Sequence, residues 1–183
     1  MTAAASANAG GRVIAVFGSA GLRDVRKRWL MAEVSAELAD ITILTAEDPR
    51  TESLDAILEV MAEGARSKGA VEEGANPKSQ LPKSKIQSQK PKIFYRIPDR
   101  AEAIRLAVAL ARPGDLVIAC GKGHEQSMCF GAVEYPWDDR TAMRAALAEL
   151  LGKPGPEMPK LPEEGNAKVQ SPRSKVQSLK SKI

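Results

Sequence analysis

Four short apolar runs limit what this chain can fold into: RVIAVF (12–17), ITILT (41–45), IFYRI (93–97) and LVIAC (116–120). They are rich in β-branched residues and nearly continuous in hydrophobicity. Strands of that kind are buried on both faces, as in parallel sheets covered by helices on either side. The segments between them carry helical periodicity, so strand and helix alternate. The predicted fold class is α/β: a mostly parallel, Rossmann-like sheet with helices on both faces.

The helices are read from spacing and caps. Residues 27–40 place Leu30, Val34 and Leu38 at i, i+4 and i+8 with Met31 beside them, the stripe of an amphipathic helix. Ser53 is a candidate N-cap for a helix to about residue 66. Asp99 with Glu102 resembles a capping box opening a helix to about residue 112. Pro113-Gly114-Asp115 reads as a turn, and residues 128–135 as a short hairpin. Asp138 or Asp139 caps a last helix that stops at Gly152. Aromatics are only 4% of the chain, so the core has to rest on Val, Ile, Leu and Ala. Cys120 and Cys129 read as small core residues. No run approaches the roughly 18 apolar residues of a membrane span. The first ten residues lack the basic start and apolar stretch of a signal peptide, so a cytoplasmic location is expected.

The net charge of +4 hides an uneven distribution. KSQLPKSKIQSQKPKI (78–93) and KVQSPRSKVQSLKSKI (168–183) align without a gap, with 10 of 16 positions identical. Each copy holds five Lys or Arg and no acid, so the two carry +10 and the remainder of the chain 4 − 10 = −6. Such polar, Pro-containing segments bury too little apolar surface to offset chain entropy. The expected organisation is a flexible segment at 1–10 and a domain at 11–152. A disordered basic insertion interrupts that domain at about 75–92, and a disordered basic tail at 153–183 repeats it. Neither copy has an aromatic within its polar stretch to stack on bases, so neither nucleic acid nor membrane is an expected partner.

In parallel sheets of this kind, ligands sit outside the carboxyl ends of the strands. The loops at 18–28, 46–52 and 121–127 should therefore share one rim. They bring together Arg23, Asp24, Lys27, Arg28, Glu47, Asp48, Arg50, Lys122, His124 and Glu125. Arginines clamp carboxylates, and Asp or Glu hold ammonium groups, so the mixture suits a zwitterion better than a lone anion. Gly121 and Gly123 let backbone approach a ligand. Taken singly, each charge also reads as a solvated surface group, and His124 equally as a structural histidine. GKG lacks the Ser or Thr and the preceding glycine spacing of a P-loop, and no GxxxxGK[ST] occurs.

VFGSAGLRDVRKR, LTAEDPRTE, IPDRAEAI, GDLVIACGKGHEQ and WDDR stand in the order and spacing of the C-terminal domain of Mur ligases. They most resemble the ligases that add a diamino acid as third residue of the peptidoglycan stem. The resemblance spans about residues 11–152. It implies ATP- and Mg²⁺-dependent chemistry, in which a UDP-N-acetylmuramoyl-dipeptide carboxylate becomes an acyl phosphate that an incoming amine attacks. It implies that Arg23 meets the substrate carboxylate. Glu47, Asp48, Pro49 and Arg50 would form the diamino-acid recognition motif. Gly121 and Glu125 would hold the amino acid's far end. Arg23 and His124 are the candidates for a catalytic role. Asp24, Arg28 and Lys122 are candidates to face nucleotide or phosphate. No metal ligands are expected in this chain.

This sequence departs from the family pattern in four ways. Leu22 replaces an acidic residue in the first loop. The recognition motif reads EDPR where DNPR is usual, and Asp48 adds a negative charge beside Arg50. That charge favours a distal ammonium, as in lysine or ornithine. Arg50 favours the distal carboxylate of diaminopimelate. The third departure is the basic insertion. The fourth is that the UDP-sugar and ATPase domains are not in this sequence, and ATP and Mg²⁺ would bind mainly there. The expected function is the amino-acid-binding C-terminal domain of such a ligase, from a split or truncated gene, inactive until joined to those domains, with a separate chain as one possible carrier of them. The alternatives are a stand-alone, non-catalytic binding module and an unrelated nucleotide-binding α/β protein.

Overall fold

Each apolar run becomes a strand, and a fifth strand joins them. A computed structural model describes residues 10–73 and 92–162. In chain order the elements are β1 (Val13–Phe17), α1 (Val25–Leu38), β2 (Ile41–Leu44), α2 (Leu54–Ser67), β3 (Val71–Glu72) and β4 (Ile93–Arg96), then α3 (Arg100–Leu110), β5 (Leu116–Ala119), β6 (Ser127–Phe130), β7 (Val133–Pro136) and α4 (Asp139–Leu151). The sheet order is β3-β4-β2-β1-β5, and every pairing in it is parallel. β6 and β7 form the expected hairpin as a separate antiparallel pair.

Alternate residues of the central strands feed two cores. Ile14, Val16, Ile41 and Ile43 join Ile104, Ala107, Met128, Trp137 and Ala142 on the α3/α4 face. Phe17, Leu44 and Phe94 join Ile57, Leu58 and Met61 on the α1/α2 face. The helices start where short polar side chains satisfy free N–H groups: Asp24, Ser53, Asp99 and Asp138 each accept from a backbone N–H two or three residues on. α4 ends at Gly152, left-handed at φ 62°. At the opposite edge from the strand ends, Arg12 binds Asp115 through its backbone N–H at 2.8 Å and its guanidinium at 2.6 and 3.0 Å. Those bonds hold the Asp115 carboxyl far below the usual carboxylate range.

The structure corrects the sequence reading at three places. In α1 the stripe of Leu30, Met31, Val34 and Leu38 is exposed, and the helix buries Arg28, Ala32 and Ala36 instead. The cause is close packing on α2, where a Cβ on Gly64 would lie 2.6 Å from the Trp29 carbonyl oxygen. Ala32 and Ala36 fit so close a crossing, and the large apolar residues turn away from it. Cys120 is exposed at the end of the edge strand β5 and Cys129 is half-buried; both are free thiols. Residues 153–162, expected to begin the disordered basic tail, form neither helix nor strand, and their Met158 and Leu161 pack on the α3/α4 core. Of the expected insertion, residues 75–91 lie outside the described residues, as do residues 1–9 and 163–183. Lys92 is described, and pairs with Asp40 at 3.1 Å.

Candidate functional site

Because all five strands of the sheet run parallel, the loops after β1, β2 and β5 leave it along one edge. Hydrogen bonds then draw them together. Gly21 N–H donates to the Asp48 carbonyl oxygen at 2.9 Å, and Leu22 N–H to the Glu52 carboxylate. Asp48 accepts from Lys122 Nζ at 2.6 Å and from Cys129 N–H at 2.8 Å, joining the second loop to the third and to the β6–β7 hairpin. Arg50 continues the seam: its N–H donates to Cys129 O at 3.1 Å, and its carbonyl accepts from Gly131 at 2.8 Å.

Two glycines make this approach possible. A Cβ on Gly21 would lie 2.0 Å from the Pro49 carbonyl oxygen, and one on Gly121 would lie 2.1 Å from the Glu47 carboxylate. Gly121 also has φ +103°, a conformation costly to any other residue. Leu22 (57°), Asp48 (39°) and Arg50 (55°) are the non-glycine residues with positive φ among the described residues. All three lie in the first two rim loops. Each such residue costs on the order of 1–3 kcal/mol, and strain of this kind collects at ligand-binding sites.

Beneath the rim sits a buried guanidinium that the sequence reading did not single out. Arg100, fully buried, donates Nε and one NH₂ to the Asp139 carboxylate at 2.8 and 2.7 Å. Its remaining donors reach Ala46 O at 3.0 Å and Cys120 O at 2.8 Å. One side chain thus ties the ends of β2 and β5 to the start of α4. Trp137 Nε1 completes the cluster, donating to Asp139 at 2.8 Å. The available signal was position: a cation in the first turn of a helix opposes the helix dipole, so it needs a partner elsewhere.

The expected site residues divide into two groups. Asp24 caps α1 through Arg26 N–H. Arg28 is buried on Glu52 at 2.8 Å. Lys122 is buried between Asp48 and Glu125, each 2.6 Å from Nζ. Burial opposes the Lys122 charge, but the two carboxylate hydrogen bonds outweigh it and its pKa lies above the ordinary value. These three residues, read as candidates to face a nucleotide, are therefore engaged within the protein, where their charges hold the loops.

The second group is left open. Arg23 and His124 are exposed and make no hydrogen bond or ion pair among the described residues. The Arg50 guanidinium is half-buried and makes none either, and its Nε is buried without a partner. Glu47 is half-buried against Gly121, with no hydrogen bond to its carboxylate among the described residues. Burial raises the Glu47 pKa, against the pull of Arg100 and Lys122. Glu125 is nearly half exposed, and one of its oxygens is on Lys122. Pro49 is buried, its carbonyl against Gly21. Arg23 and Arg50 thus keep guanidinium groups, and Glu47 and Glu125 carboxylate oxygens, without partners among the described residues.

Comparison with known proteins gives this arrangement a family. The family described as "Mur ligase, glutamate ligase domain" matches residues 1–123. The chain belongs to the Mur ligase family. It is 44% identical over 140 residues to a UDP-N-acetylmuramyl-tripeptide synthetase of Roseiflexus sp. (strain RS-1), covering 76% of this chain and 24% of that protein. It is 41% identical over 143 residues to the UDP-N-acetylmuramoyl-L-alanyl-D-glutamate–2,6-diaminopimelate ligase of Geobacter metallireducens, covering 78% and 27%. A solved structure of a ligase of the latter name superposes with TM-score 0.59 at 30% identity, over 78% of this chain and 25% of that one. The chain spans about a quarter of the length of the curated relatives it matches. The Mur ligase C-terminal domain has the α/β architecture described above, as that superposition shows.

Proposed function

We propose that this chain is the amino-acid-binding domain of a peptidoglycan-precursor ligase, and that its rim takes a diamino acid of the 2,6-diaminopimelate class. The observation that carries this reading is the contrast between Asp48 and Arg50. Asp48 is the residue that would favour a distal ammonium, but Lys122 and Cys129 occupy both of its oxygens. Arg50 keeps a guanidinium with no partner, its Nε buried. A distal carboxylate satisfies that group in two parallel hydrogen bonds. Glu47 and the free oxygen of Glu125 are left to accept from an ammonium, with Gly121 keeping the approach open. Arg23 supplies a second cation at the mouth. His124, exposed in the 121–127 loop, makes no hydrogen bond or ion pair among the described residues.

ATP and Mg²⁺ belong, in this reading, to the parts of a ligase that this chain does not span. Asp24, Arg28 and Lys122 are engaged internally. Among the described residues there is no group of three or more His, Cys, Asp or Glu that could hold a metal ion. The UDP-linked dipeptide would be activated on a separate chain carrying the sugar and ATPase domains, and this domain would present the amine. No helix among the described residues is long and apolar enough to cross a membrane, and the proposed setting is the cytoplasm.

The test is a fusion in which this chain replaces the matched region of the Geobacter ligase. The fusion is expected to join diaminopimelate to the UDP-linked dipeptide in preference to lysine or ornithine. Losing the charged hydrogen bonds of Arg50, about 1.5–3 kcal/mol, should lower kcat/KM of Arg50→Ala roughly 10- to 150-fold. A fusion that prefers lysine, or an Arg50→Ala variant as active as its parent, overturns the reading. Binding of diaminopimelate without ligation would leave a binding module.

A further inference from the structure

The first rim loop is anchored at three successive residues. Ala20 O accepts from the Arg28 guanidinium at 3.3 Å. Gly21 N–H donates to Asp48 O at 2.9 Å, and its Cα faces the Pro49 carbonyl too closely for any Cβ. Leu22 N–H donates to one oxygen of Glu52, and the other Glu52 oxygen takes Arg28 at 2.8 Å. Glu52 is itself fixed, because its N–H donates to Pro49 O at 3.1 Å and closes the turn that carries Arg50. Arg28 is 4% exposed and lies in the first turn of α1, where the helix dipole opposes a cation; Glu52 supplies the compensating charge. Arg28 and the Leu22 amide together hold the Glu52 carboxyl below its ordinary range.

Both Glu52 oxygens are thus engaged within the protein. What they control is the backbone of Leu22, whose φ is 57°. A branched side chain rarely enters that left-handed region, and the strain disfavours it roughly 5- to 150-fold. A hydrogen bond to a charged group shifts an equilibrium by a factor of the same size, roughly 10- to 150-fold. One such bond is therefore enough to keep Leu22 turned. The Leu22 side chain is 61% exposed, so packing contributes little. Arg23 follows at once, and Asp24 beyond it caps α1 through Arg26 N–H. Arg23 stands between two fixed points, the one residue from 20 to 24 that makes no hydrogen bond or ion pair among the described residues.

We propose that Glu52 is a positioning residue for the amino-acid site: by holding Leu22 in the left-handed conformation it sets the path of the chain into Arg23, and so where the Arg23 guanidinium meets a substrate carboxylate. The same side chain ties that loop to the turn that carries Arg50, so the two unpartnered arginines are carried on one clamp. The proposal rests on the diamino-acid reading and adds to it a residue that touches no ligand.

The test uses the full chain and 2,6-diaminopimelate, with calorimetry for affinity and NMR for conformation. A left-handed residue brings its Hα and amide proton unusually close, so Leu22 should give a strong intraresidue cross-peak. Glu52→Ala is expected to weaken that cross-peak and to raise Kd by about 5-fold or more. In an Arg23→Ala background the same substitution should change Kd by less than about 2-fold, because the residue it positions is gone. Adding Leu22→Gly to Glu52→Ala should recover most of the lost affinity, since glycine takes φ 57° without help. A merely structural Glu52 would cost the same in both backgrounds and gain nothing from the glycine. If Glu52→Ala fails to fold, Glu52→Gln makes the same comparison, as one amide oxygen cannot replace both acceptors. Unchanged affinity, a left-handed Leu22 that survives the substitution, equal losses with and without Arg23, or no recovery with glycine overturns the inference. A wild-type chain that binds no diaminopimelate overturns the reading of the pocket instead, and the Leu22 cross-peak then decides by itself whether Glu52 sets the loop.

Discussion

Replacing Arg100 with methionine is the sharpest test of how the rim is held. Arg100 is 0% and Asp139 5% exposed, and four hydrogen bonds leave the guanidinium. Methionine fills much of the volume but leaves Asp139 buried with Trp137 Nε1 as its remaining side-chain donor. It also strips a partner from two carbonyls at the strand ends. Breaking a buried pair by removing one member costs about 3–5 kcal/mol, because the other charge stays in a poor solvent. Domains of this kind have about 5–15 kcal/mol in total. At about 2–4 °C per kcal/mol for a chain this long, Tm should fall by about 6–20 °C. The double variant Arg100→Met/Asp139→Leu removes both charges. It should be more stable than Arg100→Met, because apolar replacement of a buried pair is often near neutral. Urea unfolding of both single variants and the double variant closes the cycle, with a coupling of about 2 kcal/mol or more expected. A Tm loss under about 2 °C for Arg100→Met, or additive single effects, would refute the claim that this pair anchors the rim.

Three further outcomes follow from the same geometry. Gly121→Ala places a methyl against the Glu47 carboxylate at φ +103°; stability should fall by about 1–3 kcal/mol, with diamino-acid binding lost more completely, by calorimetry. Lys122→Met leaves Asp48 and Glu125 facing one another without their cation; thermal melts should show a loss of about 2 kcal/mol, and crystals or NMR a displaced 121–127 loop. Burial raises the Glu47 pKa above its ordinary 4.5, so the folded state holds that proton longer than the unfolded one. Relative to Glu47→Gln, wild-type stability should be greatest below pH 4.5 and decline as pH rises through the folded pKa. Ammonium binding needs the ionised form, so affinity should run the other way and weaken as pH falls through the same window.

Much of this architecture is legible in the residues. Runs such as VIAVF and ITIL admit few structures other than buried parallel strands. Asp99 and Ser53 fix helix starts by chemistry that acts within one turn. β3 was not legible, because two residues carry no period; its pairing depends on Arg66 and Arg96 closing on Glu72. α1 shows a subtler limit. Periodicity reveals that Leu30, Val34 and Leu38 share a face, but the direction of that face is set by the alanines and Gly64 that allow the helix close to α2. At the rim, charge type was readable and charge use was not. Arg28 and Lys122 look like ligand-facing cations, and only the fold shows Glu52, Asp48 and Glu125 already upon them. Met158 and Leu161 were hidden for a related reason: two apolar residues in a Pro-rich stretch carry no signal until a core surface lies beside them.

The central claim is that Arg50, Glu47, Gly121 and Glu125 face one zwitterion. An NMR titration of the full chain with 2,6-diaminopimelate tests it most directly, read at the backbone amides and the Arg50 Nε–H. The account predicts saturable shifts confined to the 18–24, 46–52 and 121–127 loops, weaker for lysine and absent in Arg50→Ala. Shifts elsewhere in the fold, or equal shifts with Arg50→Ala, would contradict it.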